Sequence, residues 1–388
     1  MKLRPVIFWS HLVIGCAAGI VILVLSVTGV LLTYERQIVE LVERRYTVTA
    51  PTHAESVPID EIIADVRERH TDEHHFFLKS VNREGAAIPV WAGMNGYLVN
   101  PYTGELLRDG PGVATAFFYV VTQVHRWFAI GGDGRAVAQA VTAYSNLLFL
   151  FLIVTGAYLW LPRVWRWRAF KMNMFLNPKA TNTKARHYNW HHVFSFWALI
   201  PLFFIVLTAT VFYFPWANSL LYGAFGEQRP VQEEVEDEAH ELPTGEMSYQ
   251  ELLARAKAHA ADNGAADWHS IWMEFGETPG RVRFYIDRSL GRRPEYAYAL
   301  FLDHDSGKVL EVKRHGDWSR GDQAWDLARF GHTGEWWGFG GQTVAGLASL
   351  AACLLVYTGF SLAWRRLVAP RLSRSTRVTK PSRERSGL

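Results

Sequence analysis

Apolar residues along this chain follow two rhythms. Four long, nearly unbroken runs alternate with stretches in which apolar and polar positions trade places. The runs cover roughly residues 6–34, 136–161, 193–214 and 338–364. Each holds the ~20 mainly apolar residues that cross a ~30 Å hydrocarbon layer. The first run outlasts the roughly 7–15-residue core of a secretory signal, and no small-x-small cleavage site precedes the polar region after it. It is expected to be a retained helix.

Between the runs the patterning changes. Ile59, Ile62, Ile63 and Val66 recur at helical spacing within 57–69. Residues 76–81, 87–91 and 96–100 read as strands, and Asn100-Pro-Tyr-Thr-Gly104 as a turn leading into a further strand from Glu105. Residues 113–135 are apolar enough to lie at a membrane interface but break at Gly131-Gly-Asp-Gly134. The second intervening region repeats this order. Residues 215–228 are expected along the membrane surface, and 233–241 as an acidic, solvated linker. A helix over 247–261 follows, with strands over 268–275, 281–287 and 296–302. Asp303-His-Asp-Ser-Gly307 is a turn, and 308–310 is the returning strand. A helix packed on a small antiparallel sheet is the expected solution in each region.

Composition and charge orient this pattern. Of 388 residues 49% are hydrophobic, more than one core needs, and the 16 Trp fall largely beside the apolar runs, as in interfacial belts. Cys16 and Cys353 both lie inside runs, so no disulfide framework is readable. No Cys-x-x-Cys-His occurs, which excludes covalent haem attachment by that signature. The loop 162–190 carries seven Lys/Arg and no Asp or Glu, and 365–388 carries eight Lys/Arg against Glu384 alone. By contrast, 35–135 has 10 basic and 14 acidic residues, and 216–335 has 13 and 22. The positive-inside rule then makes both termini cytoplasmic and the two polar regions external. In a Gram-negative bacterium this means inner membrane and periplasm. The expected fold is a mainly α membrane protein, a four-transmembrane-helix bundle from two parallel repeats, each with an external α+β domain. Its segments are helix 1 (1–34), external domain 1 (35–112), interfacial segment (113–135), helix 2 (136–161), cytoplasmic loop (162–190), helix 3 (191–214), external domain 2 (215–330), helix 4 (331–366) and a basic tail (367–388). The tail is expected to be disordered and drawn to anionic lipid headgroups.

Histidines supply the candidate chemistry. His11, Gly15 and Gly19 fall on one face of the first helix. That face suits Gly-x-x-x-Gly helix packing or a flat cofactor with His11 as axial ligand. His191 and His192 stand at the start of the third run with His187 one turn earlier, His125 precedes the second run, and His332 precedes the fourth. The halves match. His11 precedes Thr28 by 17 residues and His191 precedes Thr208 by 17, while His125…Thr155-Gly156…Trp160 parallels His332…Thr358-Gly359…Trp364. Parallel repeats about an axis along the membrane normal would make a four-helix bundle. They would pair His11 with His191 or His192 at the inner ends, and His125 with His332 at the outer ends. Either member of the adjacent pair could be the ligand, but Ser195 one turn on from His191 matches Gly15 after His11. That favours His191 and leaves His192 free to bond a propionate or neighbouring backbone. Two facing histidines suit a six-coordinate haem iron with no free site, hence electron transfer. His53, His70, His74 and His75 sit among polar residues and read as solvated.

Asn189-Trp-His-His192, the turns at 100–107 and 303–310, and the Thr-Gly…Trp ends of the spans resemble the PepSY-associated transmembrane family over the chain to about residue 368. Within it the chain is most similar to bacterial inner-membrane ferric-siderophore reductases. The resemblance implies two haem b groups and electron delivery to a ferric siderophore, possible hydroxamates included, in the periplasm. Iron would be released because the hard oxygen ligands hold Fe(II) far more weakly. Nothing after Trp364 could form the flavin reductase module of some relatives, so the donor stays open between a quinol, a cytoplasmic flavoprotein and another carrier. Two other readings stay open: a di-haem subunit serving another periplasmic redox partner, and a non-redox PepSY sensor or siderophore transport protein. Trp127, Trp336 and Trp337 could line a substrate site or simply anchor the interface. The bilayer is the expected surroundings, and no nucleic-acid partner is expected.

Overall fold

The computed structural model describes residues 3–52, 56–70, 73, 75–93, 95–229, 246–275, 280–290 and 293–370. The acidic run 233–241, His53, His74 and the tail from 371 lie outside the described residues. Four helices are long and apolar enough to cross a membrane.

In chain order, α1 spans Leu3–Leu32, α2 Glu35–Glu43, α3 Ile59–Arg69, α4 Val113–Trp127, α5 Gly134–Trp160 and α6 Trp167–Met174. They are followed by α7 over Thr183–Tyr213, α8 Pro215–Gly223, α9 Tyr249–Asp262, α10 Arg320–His332 and α11 Gly338–Leu367. The long helices α1, α5, α7 and α11 form a ring. α1 and α7 each pack against both α5 and α11 and therefore occupy one diagonal. Ile153, Ala198, Leu202, Val206, Ala348 and Ala352 make the central contact. Outward positions stay apolar although uncovered, as with Ile200 at 81% exposure, because the expected solvent there is lipid. Asn146 ties α5 to α7 by donating to the Val206 carbonyl (3.0 Å) and the Thr210 hydroxyl (3.1 Å).

α7 begins ten residues before the apolar run that marks it. Asn182 caps its start by accepting from the Ala185 N–H at 2.8 Å. His187, His191 and His192 therefore lie inside the helix rather than at its mouth. The segment before α5 is a true helix, α4, laid against α1 and α5. Thr142 of α5 donates to the Arg126 carbonyl at 2.9 Å. Phe128 and Ala129 end α4 with left-handed backbone, φ 56° and 57°, turning the chain sharply into α5. α10 lies on α7 in the corresponding place.

The strands are β1 Phe76–Val81, β2 Ile88–Ala92, β3 Asn95–Val99, β4 Leu106–Asp109, β5 Ser270–Phe275, β6 Arg281–Asp287, β7 Ala297–Asp303 and β8 Val309–Arg314. The expectation of two small sheets meets a single one of eight strands, in the order β4-β3-β2-β1-β5-β6-β7-β8. β1 and β5 join antiparallel over six residue pairs, from Phe76 opposite Phe275 to Val81 opposite Ser270. Two separate four-stranded sheets would each expose an apolar edge strand, and pairing the edges satisfies both. One face of the sheet carries α3 and α9. Leu78, Val90, Ile271, Phe284 and Leu300 meet Ile62, Ile63, Leu252 and Ala256 there, all buried. The capping box of Ser248 and Glu251 starts α9.

Candidate functional site

α1 leads into the sheet through α2, and α7 does so through α8 and α9, so their C-terminal ends mark the sheet side of the bundle. His11 lies near the other end of α1, and His191 near that of α7. His11 Nδ1 is 2.9 Å from Thr155 Oγ1 on α5, and His191 Nδ1 is 2.9 Å from Thr358 Oγ1 on α11. At the sheet side, His125 of α4 reaches Thr28 of α1 (Nδ1 to Oγ1 2.8 Å). His332, the last residue of α10, reaches Thr208 of α7 at 3.2 Å and the Ile205 carbonyl at 2.9 Å. Each histidine is thus met by a threonine from a neighbouring helix. Each of those threonines belongs to one of the landmarks recognised in the sequence.

The histidines form two levels. Along α1, His11 and the Thr28 that holds His125 are 17 residues apart, and along α7 so are His191 and Thr208. At 1.5 Å per residue the levels are ~25 Å apart. Across the diagonal, His191 lies within charge–charge reach of His11, and His332 within that of His125. Gly156 leaves room for the His11 ring, and at Gly359 and Gly29 a side chain would meet the ring at ordinary contact distance. A Cβ on Gly156 would come within 3.3 Å of His11 Cε1, one on Gly359 within 3.6 Å of His191 Cε1, and one on Gly29 within 3.9 Å of His125 Cε1.

His192 is placed differently from His191. Its Nδ1 bonds the Tyr188 carbonyl of its own helix at 3.0 Å, and its ring lies 4.2 Å from that of Tyr188. His187, buried at 5% exposure, reaches Ser361 of α11 (Nδ1 to Oγ 2.7 Å) and packs on Tyr357. At Gly19 the Phe360 ring fills the space, 2.6 Å from where a Cβ would be, which is helix packing. Gly15 faces only Leu152 at 3.9 Å. His70 bonds the Tyr97 hydroxyl, and the backbone N–H of His75 donates to the Glu73 carboxylate at 3.0 Å. Among the described residues no group of three or more His, Cys, Asp or Glu could hold a metal ion. The site chemistry is therefore that of opposed imidazole pairs. Neutral imidazoles in apolar surroundings are ligands for a borderline metal centre.

The sheet face opposite α3 and α9 looks toward the bundle and is polar and aromatic. Lys79, Trp272, Glu274, Arg283, Tyr285 and Asp287 alternate with the core residues of their strands. Arg36 of α2 bridges to Glu335, just before α11, at 3.3 Å. Glu40 accepts from His269 at 3.1 Å and Arg44 at 2.9 Å. The His269 hydrogen bond, with help from Arg44, holds the Glu40 carboxyl at about 2 despite its burial. Burial raises Asp287 and lowers Lys79, the latter also through Arg36. Burial and the nearby Asp322 lift Asp326 of α10 to about 6. Of the three tryptophans named from the sequence, Trp127 is buried beneath the guanidinium groups of Arg126 and Arg135 (4.8 and 4.2 Å). Trp336 packs on His315, and Trp337 is exposed beside Phe204. Trp127 and Trp336 are thus occupied in packing. The threonine partners and His187–Ser361 went unrecognised in the sequence. The signal for the former was the recurrence of a threonine near the far end of each span from the histidine within or before it, in matching places of both halves.

The profile of the PepSY-associated TM region matches residues 8–366. No curated protein matches the chain.

Proposed function

The chain belongs to the family of PepSY-associated TM regions, and on that footing we propose that it is a bacterial inner-membrane reductase holding two b haems. In this reading it delivers electrons to a ferric siderophore on the outer side of the membrane. The observation that carries the reading is the pair of histidine levels, ~25 Å apart along α1 and α7. Each level joins histidines that lie within charge–charge reach across the bundle. The donor set fits: two imidazoles per level, each bonded through Nδ1. His11 and His191 would hold one haem, and His125 and His332 the other. His191 is preferred to His192 because its contact with Thr358 parallels that of His11 with Thr155. When bound, haem supplies a reversible one-electron Fe(III)/Fe(II) couple.

The chain's own part is to fix those rings in a water-poor bundle and to cap one end with a polar sheet face. The two halves read as parallel repeats, with basic loop and termini in the cytoplasm. The sheet side is then periplasmic. The ferric chelate, a hydroxamate among the candidates, meets the protein there. A quinol or a cytoplasmic flavoprotein acts as donor at the other end. Reduction frees the iron because hard oxygen donors bind Fe(II) weakly.

An absorbance spectrum with haem quantification tests this. Purified protein, supplied with haem if needed, should show a Soret band and two haems per chain. A protein with no Soret band after haem supply is not a haem reductase. Dithionite-reduced protein should be reoxidised rapidly by ferric hydroxamates. Slow reoxidation by every chelate in a panel, with fast reoxidation by a periplasmic redox protein, would assign it instead as an electron-transfer subunit.

A further inference from the structure

We infer that Thr28, Thr155, Thr208 and Thr358 are positioning residues that lock their histidines in the tautomer protonated at Nδ1 and leave Nε2 as a bare lone pair. The inference rests on the reading of these histidines as ligands only for its consequence, not for the tautomer itself.

The argument is a count of protons. A threonine hydroxyl has one hydrogen and two lone pairs. Thr28 directs its hydrogen to the Val24 carbonyl at 2.6 Å, Thr155 to Phe151 at 2.7 Å, Thr208 to Phe204 at 2.9 Å and Thr358 to Leu354 at 2.7 Å. Each bond closes on the preceding turn of the threonine's own helix, where a carbonyl can only accept. The hydroxyl has no second hydrogen for the imidazole, so Nδ1 must donate and Oγ1 accept. His332 supplies an independent check. Its Nδ1 also lies 2.9 Å from the Ile205 carbonyl, which accepts whatever the hydroxyl does.

The other tautomer would set a nitrogen lone pair against an oxygen lone pair and leave an Nε2–H without a partner inside the bundle. What separates the two forms is the Nδ1–H bond, whose loss in such surroundings is enough to select one of them. An imidazole bound through Nδ1–H to an oxygen is both oriented and made more basic at Nε2. At His11, Gly156 completes the arrangement by admitting the ring edge beside the hydroxyl.

Histidine-selective 15N labelling of the detergent-solubilised chain before haem loading reads the tautomer directly. Wild type should show Nδ1 protonated and Nε2 bare for His11, His125, His191 and His332, assigned by single His→Ala variants. Thr155→Val should move His11 toward the Nε2–H form, and Thr155→Ser should restore it. An Nε2–H form in wild type, or no response to Thr155→Val, overturns the inference. In the loaded protein, Thr155→Val and Thr28→Val should each weaken haem retention at one level about 10–100-fold and shift that level's midpoint potential. Wild-type retention and potential in both variants would overturn the ligand-tuning role. A wild type that binds no haem would end the proposed function while leaving the tautomer result standing.

Discussion

Lys79 stands directly opposite Trp272 in the ladder that joins β1 to β5, its ammonium 5.1 Å from the centre of the indole ring. The pair marks the seam between the two halves of the chain. On the other face, Leu78 and Met273 are fully buried across the same ladder. Leu78→Ala should cost ~2–5 kcal/mol of sheet stability. Hydrogen exchange should then rise in β2 and in β6 alike, because both lean on the seam. A rise confined to β1–β4 would mean that the two halves of the sheet are stable separately.

Glu40 predicts an acid response on the same face. Its carboxyl is held at about 2, below an ordinary 4.5, by His269 and Arg44. A depressed carboxyl contributes stability that is complete above ~4.5 and disappears as the pH falls through ~2. Protection factors of the α2 amides, with the pH dependence of intrinsic exchange removed, should therefore fall as the pH drops below ~4.5. Glu40→Gln should exchange faster at neutral pH and show a flatter acid profile. An unchanged profile in that variant would assign the acid response to other carboxylates.

Asp326 has the opposite sign. Burial and Asp322 raise it to about 6 from 3.8, against a weaker opposing effect of Arg329. His315 Nδ1 lies 3.4 Å from its carboxylate. A raised carboxyl keeps its proton in the folded state, so stability falls as pH rises from ~4 through ~6. Asp326→Asn should melt higher than wild type at pH 7.5 and match it near pH 4. Equal melting temperatures at both pH values would show that the carboxylate is not penalised by its surroundings.

The histidine levels should be separable. His125→Ala and His332→Ala should each lower haem content from two to one per chain, as should His11→Ala and His191→Ala. Potentiometric titration should show that the first pair of variants loses one couple and the second pair the other. His192→Ala should keep both. If every single variant lost both haems with its helices intact, the pairing by level would be wrong.

Asn146 offers a test of the bundle itself. Replacing it with Leu removes two bonds from α5 to α7. Such interhelical bonds contribute ~0.6–1.7 kcal/mol in membrane proteins. Thermal unfolding in detergent should register a loss of that size with the histidine sites retained.

The four spans were legible because a membrane crossing is a local property: ~20 apolar residues in a row declare it. β6 was read at its observed residues, 281–287, since the core-facing Val282, Phe284 and Ile286 alternate with polar neighbours. The start of α7 was misplaced because Lys184, Arg186 and His187 are not apolar. The signal there was Asn182, an N-cap whose effect is on backbone N–H groups rather than on hydropathy. The β1–β5 seam was hidden for a different reason. Strand alternation fixes which face is buried, not which edge meets which, and these strands lie ~190 residues apart. At the candidate site, the histidine positions and the threonine landmarks were both visible. Their contact was not, since it depends on which helices become neighbours, and the spacing within one helix does not determine that.

The six-pair β1–β5 ladder also has a mechanical meaning. β4 leads directly into α4, which packs on α1, and β8 leads into α10, which packs on α7, so the ladder fastens the supports of both helices. The sheet therefore acts as a tie-bar across the diagonal of the bundle. A protein that worked by rocking one half against the other would have to shear that tie-bar in every cycle, breaking a row of backbone hydrogen bonds each time. A tie-bar instead holds the two helix pairs at a constant spacing, which is what the proposed passage of electrons between two fixed levels would need.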